Sequence, residues 1–199
     1  MTATRRWVAL LALLLGGCAA VAPPPPPSVR TVAVFPVLNR TGDPLLIGGG
    51  SVLEKYVFHS ERFGVCDVLA AEARTLLDER GYTVVAPEAV AAAVGDQPPD
   101  SRYAAAMVAK DKKWPGAVLY IELLRWAYGS PDAIIVSLRV DLVDADSGRL
   151  LWSNDREARP VQTQGTIDIT QAYYVAARTV MREALAPFPE LTSGAGSSP

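Results

Sequence analysis

The sequence predicts an α/β fold, a single domain whose mixed parallel and antiparallel β-sheet is flanked by helices, and three observations point there. Thr31 to Val37 is a short, nearly continuous apolar run, the pattern of a strand covered on both faces. Leu69, Ala73, Leu76 and Leu77 recur at helical spacing. Ile134, Val136, Leu138, Val140 and Leu142 alternate with Ile135, Ser137, Arg139, Asp141 and Val143, the two-residue period of a strand with one core face and one wetter face.

Taken in order, the elements read β-α-β-α-α-β-β-β-α. The opening strand belongs in the middle of a sheet, with Pro36 near its end. Asn39 to Pro44 supplies turn residues, and Leu45 to Phe63, which contains Gly48-Gly49-Gly50, reads as a loop followed by helix. From Asp67 an amphipathic helix turns Glu72, Arg74, Asp78 and Glu79 outward, and Gly81 suits the position just past its end. Tyr82 to Val85 makes the second strand, and a strand, a helix and a strand in that order imply a right-handed parallel crossover. Pro87 fits the first turn of a helix that runs through Val94 and stops at Gly95. Ser101 can cap a third helix reaching about Lys113, and Trp114-Pro115-Gly116 ends it before a strand from Ala117 to Tyr128. After the alternating strand, Asp144 to Gly148 is a hairpin turn leading into Leu150-Leu151-Trp152. The last helix, from about Ile169 to Leu185, buries Tyr173, Ala177, Val180 and Leu185, and Pro187 and Pro189 end it.

A chain of 199 residues has room for one core plus a leader and tails. Residues 1–17 read as a lipoprotein signal peptide: Arg5-Arg6, the apolar run Trp7 to Leu15, then Gly16-Gly17 before Cys18. The apolar run is about half the ~20 residues that a helix needs to cross a bilayer, so the segment serves export rather than spanning. Residues 18–29 form a lipidated cysteine and a proline-rich tether, in which Pro23 to Pro27 extends at ~3.1 Å per residue and stands the domain off the lipid surface. Residues 30–189 are the α/β domain, and residues 190–199 a small, polar, disordered tail. Cleavage before Cys18 removes Arg5 and Arg6, so the mature chain is more acidic than the formal net charge of −2, and no basic face for nucleic acid is visible.

The sequence lacks the constellations that would announce an enzyme or a bound ion, and no cofactor or metal is expected. His59 has no second histidine or Cys-x-x-Cys to complete a zinc site. Ser51 follows three glycines but lacks the Gly-x-Ser-x-Gly frame, and no Gly-Lys-Ser/Thr follows Gly48-Gly49-Gly50. Asp141, Asp144 and Asp146 miss the further ligands of a calcium loop and suit a turn instead. The sequon Asn39-Arg40-Thr41 is uninformative beside a bacterial leader. With Cys18 acylated, Cys66 is left as a buried, inert thiol.

Leu15-Gly16-Gly17-Cys18 resembles a bacterial lipobox, in which the thiol takes up a diacylglycerol before cleavage. Two or three acyl chains, at ~0.8 kcal/mol per buried CH₂, make such attachment lasting. Ala19 is not the aspartate of an inner-membrane retention signal, so the resemblance implies the outer membrane. Val32 to Asp43 resembles the opening strand and turn of the TolB amino-terminal domain and of CsgG-like curli-secretion lipoproteins, and Asp144 to Trp152 resembles a later hairpin of those domains. From Thr31 to about Pro187 the chain is most similar to a family of uncharacterised Gram-negative lipoproteins of this fold group. The resemblance implies a TolB amino-terminal-like fold and a place among neighbouring lipoproteins, and passes on no catalytic residue. The stretch from Leu45 to Cys66 is longer than the usual link in that family.

The expected function is that of a lipid-anchored envelope lipoprotein on the periplasmic face of the outer membrane, a non-enzymatic assembly or binding subunit partnered by itself or by other lipoproteins. A sheet edge can serve such binding through unpaired backbone groups. Trp126, Tyr128 and Trp152 are the candidate contact aromatics. One alternative is a periplasmic hydrolase with dispersed carboxylates, for which Glu122 in its apolar strand is the leading acid or base. Another is a pore subunit of a secretion system, which would need strands of ~9–11 alternating residues that Leu45 to Phe63 does not supply.

Overall fold

Val32 and Val34 contribute to one hydrophobic cluster, Ala33 and Phe35 to another, and all four are buried. The first strand is thus covered on both faces, as its unbroken apolar run requires. The computed structural model describes residues 29–47, 63–95, 98–130, 132–166 and 168–191. The leader, Cys18, the proline tether, Gly48-Gly49-Gly50, Ser51, His59 and residues 192–199 lie outside the described residues, so the expectations placed on them are not addressed by the fold.

The fold is a single α/β domain with a mixed sheet flanked by four helices among the described residues. The strands are β1 (Thr31–Val34), β2 (Leu38–Asn39), β3 (Leu46–Ile47), β4 (Phe63–Gly64), β5 (Thr83–Val84), β6 (Ala117–Ser130), β7 (Ala133–Asp144) and β8 (Leu150–Gln162). The helices are α1 (Val65–Glu79), α2 (Pro87–Val94), α3 (Arg102–Asp111) and α4 (Ile169–Leu185). The main sheet runs β5-β1-β6-β7-β8, with β2 also paired to β6. Strands β5, β1, β2 and β6 are parallel where they pair, while β6, β7 and β8 are antiparallel.

Expected caps and stops recur in the structure. Ser101 Oγ accepts the Ala104 N–H at the start of α3, and the Asp168 carboxylate accepts the Gln171 N–H at the start of α4. Pro87 opens α2 and Gly95 closes it with φ 68°. Gly116 has φ 89°, and a Cβ there would run into the Thr31 carbonyl, so the turn before β6 needs glycine.

Several boundaries differ from the sequence expectation. Leu46–Ile47 is not loop: it pairs antiparallel with Phe63–Gly64. Helix α1 begins at Val65, two residues early, because the Asp67 carboxylate accepts the Gly64 N–H at 2.7 Å and fixes the start there. Strand β8 runs to Gln162, ten residues past Leu150-Leu151-Trp152, and β6 runs two residues past Tyr128 to Ser130, because the β6–β7 and β7–β8 ladders continue. Leu191 also remains tied to the domain, its N–H donating to the Arg80 carbonyl at 2.9 Å.

The sheet is covered unequally. Helices α1 and α4 lie on the face that holds the larger core, which includes Leu119, Ile121, Leu123, Val136, Leu138, Val140 and Leu142. Helices α2 and α3 cover the other face only near Val118 and Tyr120. Beyond Tyr120 that face carries Glu122, Arg139 and Asp155, which is why the alternating strand shows a wet side.

The largest correction is Glu72, expected on the solvent side of α1 but only 7% exposed. Helix α4 packs across it, and Arg178 Nε and Arg182 Nε donate to its carboxylate at 2.9 and 2.6 Å. Burial opposes ionisation of Glu72, and the hydrogen bonds and charges of Arg182 and Arg178 outweigh it, so the carboxyl titrates below its ordinary value. Arg74, also expected to face outward, is only partly exposed.

Candidate functional site

The three sequence-nominated aromatics do not share a fate. Trp152 is 2% exposed and meets Phe188 edge-on, with ring centroids 5.0 Å apart. Phe188 in turn packs on Tyr82 at 5.3 Å. These rings lie near the end of the sheet where the chain enters β1, and they belong to the core. Trp126 is 6% exposed and contacts Tyr173 of α4 at 5.4 Å in a T-shaped pair. Burial therefore removes Trp126 and Trp152 from any contact surface, because the sheet face they occupy is the one that α1 and α4 cover.

Tyr128 alone remains accessible, at 54% exposure. It lies two residues beyond Trp126, where α4 has only its first turns to offer, and its ring sits 6.0 Å from that of Tyr173. Partial burial and the neighbouring Tyr173 hydroxyl push the Tyr128 phenol above its ordinary value. Tyr173 also lines a shallow pocket of about 250 Å³ with Leu45, Leu46 and Ile169. Leu46 and Ile169 are about half exposed, so Leu46, Ile169, Tyr173 and Tyr128 form one apolar patch at the far end of the sheet. Tyr128 lies ~36 Å along β6 from Ala117, beside which the chain enters β1. Sequence reasoning missed Leu46 and Ile169. Leu46 fell in a segment without clear periodicity, and Ile169 occupied the first position of a helix, where an apolar residue carries little signal.

At the edge of the described sheet, β8 presents Asp155, Glu157, Arg159 and Pro160. Such charges and a proline discourage indiscriminate strand pairing. The opposite edge, β5, is only two residues long. The apolar patch is consequently a better contact surface than either edge.

Glu122, nominated as an acid or base, is embedded in an ionic row on the open sheet face. Arg40 Nη2 lies 3.3 Å from its Oε1 and Arg139 Nη1 lies 3.8 Å from its Oε2. Arg139 also holds Asp155 at 2.6 Å, and Arg40 donates to the Asp100 carbonyl at 2.8 Å. Each Glu122 oxygen faces a guanidinium, a geometry that fixes a carboxylate and cross-links β2, β6, β7 and β8. The neighbouring Tyr120 phenol is pushed up to about 12, by burial first and by Glu122 second. Asp141 is tied to Arg102 at 3.2 Å and to the Ser153 hydroxyl at 2.6 Å. Asp144 accepts the Ser147 hydroxyl and N–H, which lowers its pKa and closes the β7–β8 turn. Asp146 is exposed, and its backbone carbonyl accepts from Lys110 while its N–H faces the Asp144 carboxylate. Among the described residues no group of three or more His, Cys, Asp or Glu is arranged to hold a metal ion. No helix of the described residues is long and apolar enough to cross a membrane.

Asn39 uses its side chain locally, accepting from the Thr41 N–H at 3.0 Å and from the Thr41 hydroxyl at 2.7 Å, and donating to the Asp43 carbonyl at 2.6 Å. Cys66 is half-buried, and burial together with the nearby Asp67 carboxylate pushes its thiol up to about 11. It is a thiol, not a thiolate, at neutral pH.

No protein-family model and no curated protein matches the chain. Similar solved structures include a PelC dodecamer from Paraburkholderia phytofirmans, at 15% identity and a TM-score of 0.49, with 85% of this chain and 96% of that chain covered. The lipoprotein GNA1162 from Neisseria meningitidis is similar at 19% identity and a TM-score of 0.47, over 78% of this chain and 98% of that one. The C-terminal domain of LpoB from Salmonella enterica is similar at 18% identity and a TM-score of 0.43, over 77% and 93%. At these identities no side-chain role passes from those proteins to this one.

Proposed function

We propose that the protein is a non-enzymatic envelope lipoprotein, anchored by acyl chains on Cys18 to the periplasmic face of the outer membrane, where it assembles with itself or with neighbouring lipoproteins. The observation that carries this reading is the half-exposed apolar patch around Tyr128, Leu46 and Ile169, read together with the lipobox-like sequence at Cys18. Tyr128 lies at the end of β6 away from Ala117, beside which the chain enters β1, and Leu46 and Ile169 cluster with it. A half-exposed cluster of aromatic and aliphatic side chains there loses water on contact with a partner, at roughly 25 cal/mol per Å² of apolar area. Glu122, the carboxylate nominated for catalysis, is tied to Arg40 and Arg139, which supports binding over hydrolysis.

The test is to purify the protein from its host envelope in mild detergent and read mass and partners together. Acylated Cys18 and a stable oligomer or a co-purifying lipoprotein are expected. An unmodified Cys18 thiol would sink the anchoring, and a monodisperse monomer without partners would sink the assembly.

A further inference from the structure

Between α1 and α2, just outside the carboxyl ends of the parallel strands β1 and β5, lies a cleft of about 280 Å³. Its walls combine aliphatic side chains, Val34 and Val37 at and just past the end of β1, Ala70 of α1 and Val90 and Ala91 of α2, with the charged Asp67 and Arg74 of α1. Crevices outside the carboxyl ends of strands in open α/β sheets are the usual place for a ligand. Helices α1 and α2 cover opposite faces of the sheet, and the chain parts there to reach them.

One side chain in the wall is chemically incomplete. Arg74 is partly buried, and its Nε donates to the Ala70 carbonyl at 3.2 Å within its own helix. Among the described residues its two Nη groups have no hydrogen-bond partner, and no carboxylate lies within 4.0 Å of the guanidinium. Asp67 and Glu88 act on Arg74 only through space, and the loss of water around it prevails, so its pKa falls below the ordinary value. Asp67 is engaged elsewhere, its Oδ2 accepting the Gly64 N–H at 2.7 Å.

We propose that this cleft binds a small aliphatic carboxylate, with its alkyl body against Val34, Val37 and Val90 and its head on the Nη groups of Arg74. A planar carboxylate matches the guanidinium fork with two parallel hydrogen bonds. Asp67 and Glu88 nearby oppose any anion, and they oppose a dianion such as phosphate about twice as strongly as a singly charged carboxylate. The site stands apart from the apolar patch around Tyr128 and does not depend on anchoring at Cys18.

Cys66 also borders the cleft and supplies the reporter. The full chain, held in phosphatidylcholine nanodiscs, is alkylated with N-ethylmaleimide, and the rate at Cys66 is followed by peptide mass spectrometry, which separates it from Cys18. Millimolar octanoate is expected to slow the reaction at Cys66 about tenfold, with little effect from octanol or inorganic phosphate. Arg74→Gln is expected to lose the protection, read as the ratio of rates with and without octanoate. Equal protection by octanol, or none by octanoate, overturns the proposal on the unaltered protein alone, whatever the variant's stability. Undiminished protection in a folded Arg74→Gln protein overturns the role given to the guanidinium.

Discussion

Two aromatic clusters sit near opposite ends of the long antiparallel strands, built from the same residue types yet different in consequence. Near the end where the chain enters, Trp152, Phe188 and Tyr82 pack ring against ring under α1 and the residues after α4, and all three are at most 3% exposed. At the far end, Trp126 and Tyr173 make a comparable T-shaped pair, but Tyr128 beside them is 54% exposed and the Trp126 Nε1–H has no partner among the described residues. Helix α4 links the two, with Tyr173 in its first turns and Phe188 just beyond its last. The difference lies in what covers each cluster, and it separates a core that holds the fold from a surface suited to binding.

The sharpest way to break this comparison is to truncate one ring from each cluster. Trp152→Ala leaves a hole between β8 and Phe188 and is expected to cost about 3–5 kcal/mol, as other large-to-small core changes do. Tyr128→Ala is expected to stay within about 1 kcal/mol, because half of that ring is already in water. Urea unfolding of the two variants decides it, and similar losses would mean that the far cluster is core as well.

The sequence made the two clusters hard to tell apart for a physical reason. The period-two pattern identifies which residues share a sheet face, and it placed β7 and its core side correctly. Caps and stops were equally legible, since Ser101, Pro87, Gly95 and Gly116 act through local backbone chemistry. How far a helix reaches along a strand depends on packing between distant segments, so nothing near Trp126, Tyr128 or Trp152 distinguishes buried from exposed. Glu72 shows the same limit: helical spacing put it among the outward residues, but Arg178 and Arg182 arrive from more than a hundred residues away. The far patch was legible only through Tyr128, because Leu46 lies in a two-residue strand too short to show a period.

Glu72 gives the second prediction, since it clamps α1 to α4 and so supports both clusters. Glu72→Gln, which keeps the shape and loses the charge, is expected to cost about 1–3 kcal/mol at pH 7, in the range for hydrogen bonds to charged groups. The pH dependence has a fixed sign. The folded-state pKa of Glu72 lies below its unfolded value, so its contribution is complete above the ordinary glutamate range and is lost as pH falls through the folded value. Unfolding midpoints from pH 7 downward should therefore converge for the wild type and Glu72→Gln. A gap that persists in acid would assign the effect to packing.

Trp126→Phe makes a smaller change and sharpens the contrast within the far cluster. It removes a buried N–H that lacks a partner, a group that costs roughly 1–3 kcal/mol when left unsatisfied, while the smaller ring gives up some packing against Tyr173. The two effects oppose, and a net change below about 1 kcal/mol is expected in urea unfolding. A loss as large as that of Trp152→Ala would mean that the indole is held as tightly as the rings near the entering chain.

Tyr128→Ser should have the least effect on stability and the clearest effect on assembly. The hydroxyl keeps the position polar and leaves the β6–β7 ladder intact, so unfolding should shift by no more than about 0.5 kcal/mol. The ring it removes is the most exposed member of the patch that also includes Leu46, Ile169 and Tyr173. If that patch is the contact surface, the variant loses mass in detergent size-exclusion chromatography with light scattering while its circular dichroism stays unchanged. Ile169→Asp, across the pocket on the first turn of α4, should reproduce the loss, because a charge there would be desolvated on contact. If both folded variants keep the full assembled mass, the contact surface lies elsewhere on the domain, and the exposure of the far cluster has another cause.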